Sequence, residues 1–159
     1  MSWKQTFITG LTDTSTSDLE GVGTIRREGP NKVFKWIRYN AGAGSVAAIA
    51  GDVGYYYGVS ADAVTGGYEN SVITMDRTDA YMGAGVFQAI IADDSYGWIQ
   101  IKGPATLTQA LTAGADGNAL THSGAGADGA LDVSNAVTDT VVAYATDISA
   151  KKIVCDFPW

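Results

Sequence analysis

The chain has 159 residues, an apolar fraction of 46% and a formal net charge of −7, enough for one domain with a sizeable core. That charge argues against a general nucleic-acid binder, which needs cations to displace the counterions of phosphate. Cys155 is the only cysteine, so no internal disulfide or thiolate zinc site forms. Twenty glycines and few long aliphatics favour thin strands and tight turns over thick helices. The opening Met1-Ser-Trp-Lys-Gln-Thr lacks the apolar core of a signal peptide, and no run is long and apolar enough to cross a bilayer. The expectation is a chain kept in the cytoplasm, or carried out of it within an assembly.

Taken in order, residues 1–22 hold scattered apolar side chains (Trp3, Phe7, Ile8, Leu11, Leu19) with no sustained periodicity, and read as an amino-terminal arm. Residues 23–159 read as a single β domain. Val22 to Arg27 and Lys32 to Asn40 are strands joined by a turn at Glu28-Gly29-Pro30-Asn31. In the second, Phe34, Trp36 and Arg38 share one face and Val33, Lys35, Ile37 and Tyr39 the other. Both faces are partly apolar, so one lies under another layer or another subunit. The alanine- and glycine-rich run from Ala41 to Gly51 is a loop or strand rather than a helix. A strand through Tyr55, Tyr56 and Tyr57 follows, then Ser71 to Asp76.

The stretch Gly85 to Leu107 carries the clearest signal. Two β-rich runs flank the polar turn Asp93-Asp94-Ser95, the pattern of a β-hairpin, and Gly103-Pro104 is expected to end its second strand. Short strands at Ala105–Thr108, Asn118–Thr121, Ala130–Val133, Thr140–Thr146 and Lys151–Phe157 complete the chain. About ten short strands predict a small antiparallel β-barrel or β-sandwich with an extended amino-terminal arm.

Catalysis is not visible. His122, the only histidine, sits in a glycine-rich loop and reads as solvated, and no nucleophile elbow accompanies it. Asp93 and Asp94 are adjacent and Asp76 lies near Asp79, both pairs beside turns, where aspartate bonds to local backbone. Asp116, Asn118 and Asp128 offer oxygen ligands without the spacing of a known calcium loop. No catalytic residue, metal site or cofactor is expected. Charge is uneven: Arg26, Arg27, Lys32, Lys35 and Arg38 cluster early, while from Ala41 to Ala150 only Arg77 and Lys102 stand against the acids between Asp52 and Asp147. A basic segment on an acidic body docks on an acidic partner, or serves as a solvated strand face.

Gly85-Val-Phe-Gln-Ala, Tyr96-Gly-Trp-Ile-Gln-Ile-Lys-Gly-Pro-Ala and Leu111-Thr-Ala-Gly-Ala-Asp-Gly-Asn-Ala-Leu, with the closing strands from Ala130 to Val154, resemble the small β-rich head decoration (capsid cement) proteins of tailed bacteriophages. The likeness covers residues 20–159. It implies a virion protein without catalysis on the outer capsid surface, with the major capsid protein and its own copies, as a homotrimer, for partners, and neither nucleic acid nor membrane. Trp3, Phe7, Arg26, Arg27, Lys32 and Lys35 are then the expected capsid or subunit contacts. Two alternatives stay open: a glycan-binding β domain of a fibre or host-attachment protein, with Tyr55, Tyr56, Tyr57 and Trp98 as stacking platforms, and a tail-tube or head-fibre base subunit.

Overall fold

A computed structural model describes residues 6–58, 68–122 and 126–159. The chain is all-β. In chain order the strands are β1 (Ile25–Glu28), β2 (Lys32–Tyr39), β3 (Val53–Gly58), β4 (Tyr68–Thr74), β5 (Ala80–Phe87), β6 (Tyr96–Thr106), β7 (Ala119–Thr121), β8 (Asp132–Val133), β9 (Ala143–Asp147) and β10 (Lys152–Asp156), with one 3₁₀ turn at Arg77–Asp79. All ten belong to one sheet, ordered β1-β2-β4-β3-β5-β6-β10-β9-β7-β8, and β6 also pairs with β2. That extra pairing closes β2, β4, β3, β5 and β6 into a five-strand ring, which is not a regular barrel. The ring is antiparallel except between β2 and β4, which run parallel through Arg38↔Val72 and Tyr39↔Ile73. A parallel neighbour arises because the chain leaves β2, passes through the 40–52 loop and forms β3 before returning as β4 beside β2.

β6 holds the molecule together. Its first half pairs with β2 through Trp98↔Trp36 and with β5 through Gln100↔Val86, and its second half pairs with β10 through Lys102↔Asp156 to Thr106↔Lys152. Gly103-Pro104, expected to end this strand, instead turns it toward a new partner. Gly103 adopts φ +90°, and a Cβ there would lie 2.0 Å from the Asn31 carbonyl oxygen of the β1–β2 turn. Only glycine fits that approach. The buried Gln100 side chain secures the bend, its Nε2 lying 3.1, 3.1 and 2.9 Å from the carbonyls of Lys102, Gly103 and Pro104. Proline stays in the ladder because β6 is bent where its missing donor falls.

The interior is filled by Val33, Ile37 and Tyr39 of β2 with Val53, Ile73, Phe87, Ile99, Ile101 and Phe157. The opposite face of β2 and β6 carries a second cluster of Phe34, Trp36 and Trp98, on which Phe7, Leu11, Val22 and Tyr96 pack. The layer expected over β2 is therefore the protein's own amino-terminal segment. From residue 6 it runs across the outside of the ring as a strap, and Ser15 bridges to Tyr96 in both directions, at 3.1 and 2.7 Å. β1 begins later than expected, because Gly21 and Gly23 take positive φ (82° and 91°) and turn the strap into the strand.

Three of the four aspartates beside the turns act on backbone, and the fourth, Asp94, on a side chain. Asp76 Oδ2 accepts from Gly44 N–H at 2.7 Å and Asp79 Oδ2 from Ala43 N–H at 2.6 Å, so this pair pins the 41–45 loop. Asp93 accepts from Ala41 N–H at 2.8 Å, and Asp94 pairs with Arg38 at 2.6 Å.

Replacing Gly103 with alanine should cost about 2–5 kcal/mol, from a strained φ and a clash with backbone that has no room to give. Urea unfolding followed by tryptophan fluorescence measures it, and a midpoint within error of wild type would show that β6 does not depend on this bend.

Candidate interaction groove beside the amino-terminal strap

The strap is held by the polar edges of the rings it covers. Trp98 Nε1–H donates to Thr9 Oγ1 at 2.9 Å, and the Thr9 hydroxyl donates in turn to Glu20 Oε1 at 2.7 Å, which also accepts Thr9 N–H at 2.6 Å. Trp36 Nε1–H donates to Asp18 Oδ1 at 2.9 Å, while Asp18 caps Gly21 and Val22 N–H, each at 2.9 Å. A tryptophan has one donor, and burial without a partner is costly, so these bonds fix where the strap lies. Phe7 then meets Trp98 edge-on, with centroids 5.6 Å apart and planes at 83°.

Beside this contact the strap, β1 and the carboxyl-terminal residue enclose an open groove of about 870 Å³, lined by Thr6, Phe7, Thr9, residues 25–28 and Trp159. The groove contains two arginines with different roles. Arg26 is committed internally: its guanidinium lies 4.9 Å from the Phe7 centroid and 5.7 Å from that of Trp98, donates to Thr9 O at 2.7 Å, and pairs with Glu28. Arg27 is exposed and enters none of the ion pairs among the described residues. Trp159 stands 57% exposed at the rim.

Phe7, Arg26 and Arg27, chosen from the sequence, thus meet in one place, and Trp159 joins them without having been singled out. The sequence signal for Trp159 was an aromatic at the end of a polar-flanked Asp156-Phe157-Pro158 run, and only the return of β10 beside β6 brings it to β1. Lys32 is exposed but lines a separate shallow pocket of about 260 Å³ with Pro104 and Lys152. Trp3 lies outside the described residues.

Lys35, expected among the contacts, is turned inward. It lies on the inward face of β2, 3% exposed, with Nζ 3.2 Å from the Tyr56 hydroxyl and 5.0 Å from its ring centroid. Burial lowers its pKa to about 8. The stacking platform is likewise displaced. Tyr55, Tyr56 and Trp98 are each no more than 1% exposed, and Tyr57 is half-buried. Tyr55 and Tyr56 donate to the carbonyls of Ala130 and Pro158 at 2.8 and 2.7 Å, so their hydroxyls serve the fold. Tyr55, Tyr56 and Trp98 are covered by the chain's own residues, which leaves no ring face of theirs for a sugar to stack on.

His122 is half-buried against Tyr55 rather than solvated, at 6.3 Å between ring centroids, and burial lowers its pKa. Asp116, Asn118 and Asp128 do not converge. They accept from Ile148 N–H (2.8 Å), Ala115 N–H (2.7 Å) and Arg77 N–H (2.9 Å), and no group of three metal-ligating side chains gathers among the described residues. Burial pushes the Cys155 thiol up to about 12, far from the thiolate chemistry of a nucleophile. No described helix is long and apolar enough to cross a membrane.

Comparison with family models, with curated proteins and with solved structures gives no match.

Removing the Thr9 hydroxyl with Thr9→Val leaves a buried indole N–H unpaired and should cost about 1–3 kcal/mol, read from chemical denaturation. Unchanged stability would mean that the strap does not need that bond. Lys35 gives a pH signature. Its folded pKa of about 8 lies below the 10.5 of an unperturbed lysine, so between those values the unfolded chain holds more protons and stability rises with pH. Above about 9 the raised Cys155 pKa works the other way, because the unfolded thiol ionises first. Stability should therefore climb from about pH 7.5 to 9, and Lys35→Met should flatten that climb; parallel curves for the two proteins would rule the effect out.

Proposed function

We propose that this chain is a non-enzymatic structural protein of a bacteriophage virion that binds the outside of the capsid and stabilises it, acting as a homotrimer with the major capsid protein as its partner. The groove between strap and β1 carries the reading. It is a preformed surface on which an aromatic wall (Phe7, Trp159) and an uncommitted arginine (Arg27) lie side by side, in a chain whose net charge is −7. Aromatic side chains and arginine are the residues that most often anchor protein interfaces. The β-rich resemblance of residues 20–159 supplies the capsid as the partner. The other conspicuous polar groups support a structural role, since Asp76, Asp79, Asp93, Asp116 and Asp128 all hold backbone N–H groups. Many copies on one shell make attachment multivalent, so a modest groove suffices at each site.

Purified protein mixed with expanded, undecorated heads should bind and raise their melting temperature. Arg27→Glu should weaken binding at least about tenfold while its own stability stays within about 0.5 kcal/mol, as expected for a surface change. Absence of binding across a range of salt concentrations would overturn the proposal.

A further inference from the structure

Among the described residues, nothing pairs with the edge of β1 that borders the groove. Trp36 N–H donates to Thr24 O at 2.9 Å, and β1 pairs with β2 through Ile25↔Lys35, Arg26↔Phe34, Arg27↔Val33 and Glu28↔Lys32. Antiparallel alternation from Thr24 turns the backbone groups of Arg26 and Glu28 toward β2 and those of Ile25 and Arg27 away from it. β1 ends the sheet order, and no described residue exchanges a hydrogen bond with those outward groups. Two N–H donors and two carbonyl acceptors therefore line the groove at strand spacing. Exposed sheet edges are commonly shielded by charge, by bulges or by a covering segment. Here the described part of the strap packs against Trp98 and does not cover the edge itself.

The charges beside the edge select the occupant. Glu28 is already neutralised by Arg26, so it does not repel an acid, and Arg27 is left with its guanidinium unshared. We propose that the groove captures an extended segment of a protein partner as an added strand on β1, with a carboxylate of that segment on Arg27 and an apolar side chain against Phe7 and Trp159. Ladder hydrogen bonds would supply affinity without reading sequence, while Arg27 and the aromatic wall would supply selection. This rests on reading the groove as the contact face and names the chemistry of what fills it.

The test uses isotope-labelled full-length protein titrated with blocked pentapeptides of alternating valine and threonine around a central aspartate, followed by amide NMR. Saturable shifts at the Ile25 and Arg27 amides are expected. Weakening of at least about tenfold is expected when the peptide is N-methylated at alternate residues, which removes ladder donors only. Lysine in place of the central aspartate, or Arg27→Ala in the protein, should weaken binding about fivefold or more. No shift at those two amides up to millimolar peptide overturns the proposal, and so does undiminished binding of the N-methylated peptide. Because no capsid enters this experiment, its outcome is separate from the head-binding result.

Discussion

Two indoles facing each other across one ladder set the terms of this fold. Trp36 and Trp98 are register partners in β2 and β6, their rings 5.2 Å apart and inclined at 64°, and neither is exposed. They point out of the ring, on the face opposite the main core. Side chains of that size left in water would forgo several kcal/mol of burial, so the outer face of β2–β6 needs a cover. Each indole also needs an acceptor for its N–H, and the cover brings one for each, Thr9 for Trp98 and Asp18 for Trp36. The strap, the placement of Phe7 and the location of the groove all follow from this requirement.

The same constraint explains why β6 is long and bent. Its first half must lie flat against β2 to set the indoles opposite each other, while its second half leaves to pair with β10. A straight strand would not do both. The Gly103 bend, with the Asn31 carbonyl pressed against it, locks the β1–β2 turn to the point where β6 changes partner. The position of β1, and hence of the groove beside it, is tied to the ring by its ladder with β2 and by the Gly103 approach, and to the strap by Arg26.

Strand content was legible in the sequence because β-branched and aromatic runs alternate with glycine turns, and the Gly85–Leu107 hairpin was legible in part: β5 and β6 pair at Val86↔Gln100 and Phe87↔Ile99, but the first strand ends at Phe87 and residues 88–95 form a longer connection than the expected turn. Long-range relations were not. The parallel β2–β4 pair, the closure of β2 on β6 and the passage of β6 through Gly103-Pro104 depend on partners far along the chain. The face assignment of β2 was legible, yet its meaning was not: Lys35 shares a face with Val33, Ile37 and Tyr39, and only the closed ring shows that this face is the interior. Tyr55 and Tyr56 misled for the same reason, since adjacent strand residues face opposite ways and both directions here are buried. In the groove, Phe7, Arg26 and Arg27 were legible as an aromatic arm beside a basic strand, whereas Trp159 arrives through β10, a connection no local pattern encodes.

The charge distribution gives a last reason to look to β1. Most described cations are spoken for within the chain: Arg26 by Glu28, Arg38 by Asp94, Lys102 by Asp156, Lys151 by the Thr108 carbonyl at 2.6 Å, and Lys35 by burial against Tyr56. An acidic protein that uses its few positive charges internally has little left to hold a partner. Arg27 is an exception, and it sits where the backbone is also unpaired and aromatic surface is also open. Each feature alone is common on a protein surface, since edge strands, exposed arginines and single exposed aromatics all occur without function. Their coincidence along the four residues of β1 concentrates unmet hydrogen-bonding, charge and apolar demands at one place. An extended acidic segment meets all three at once.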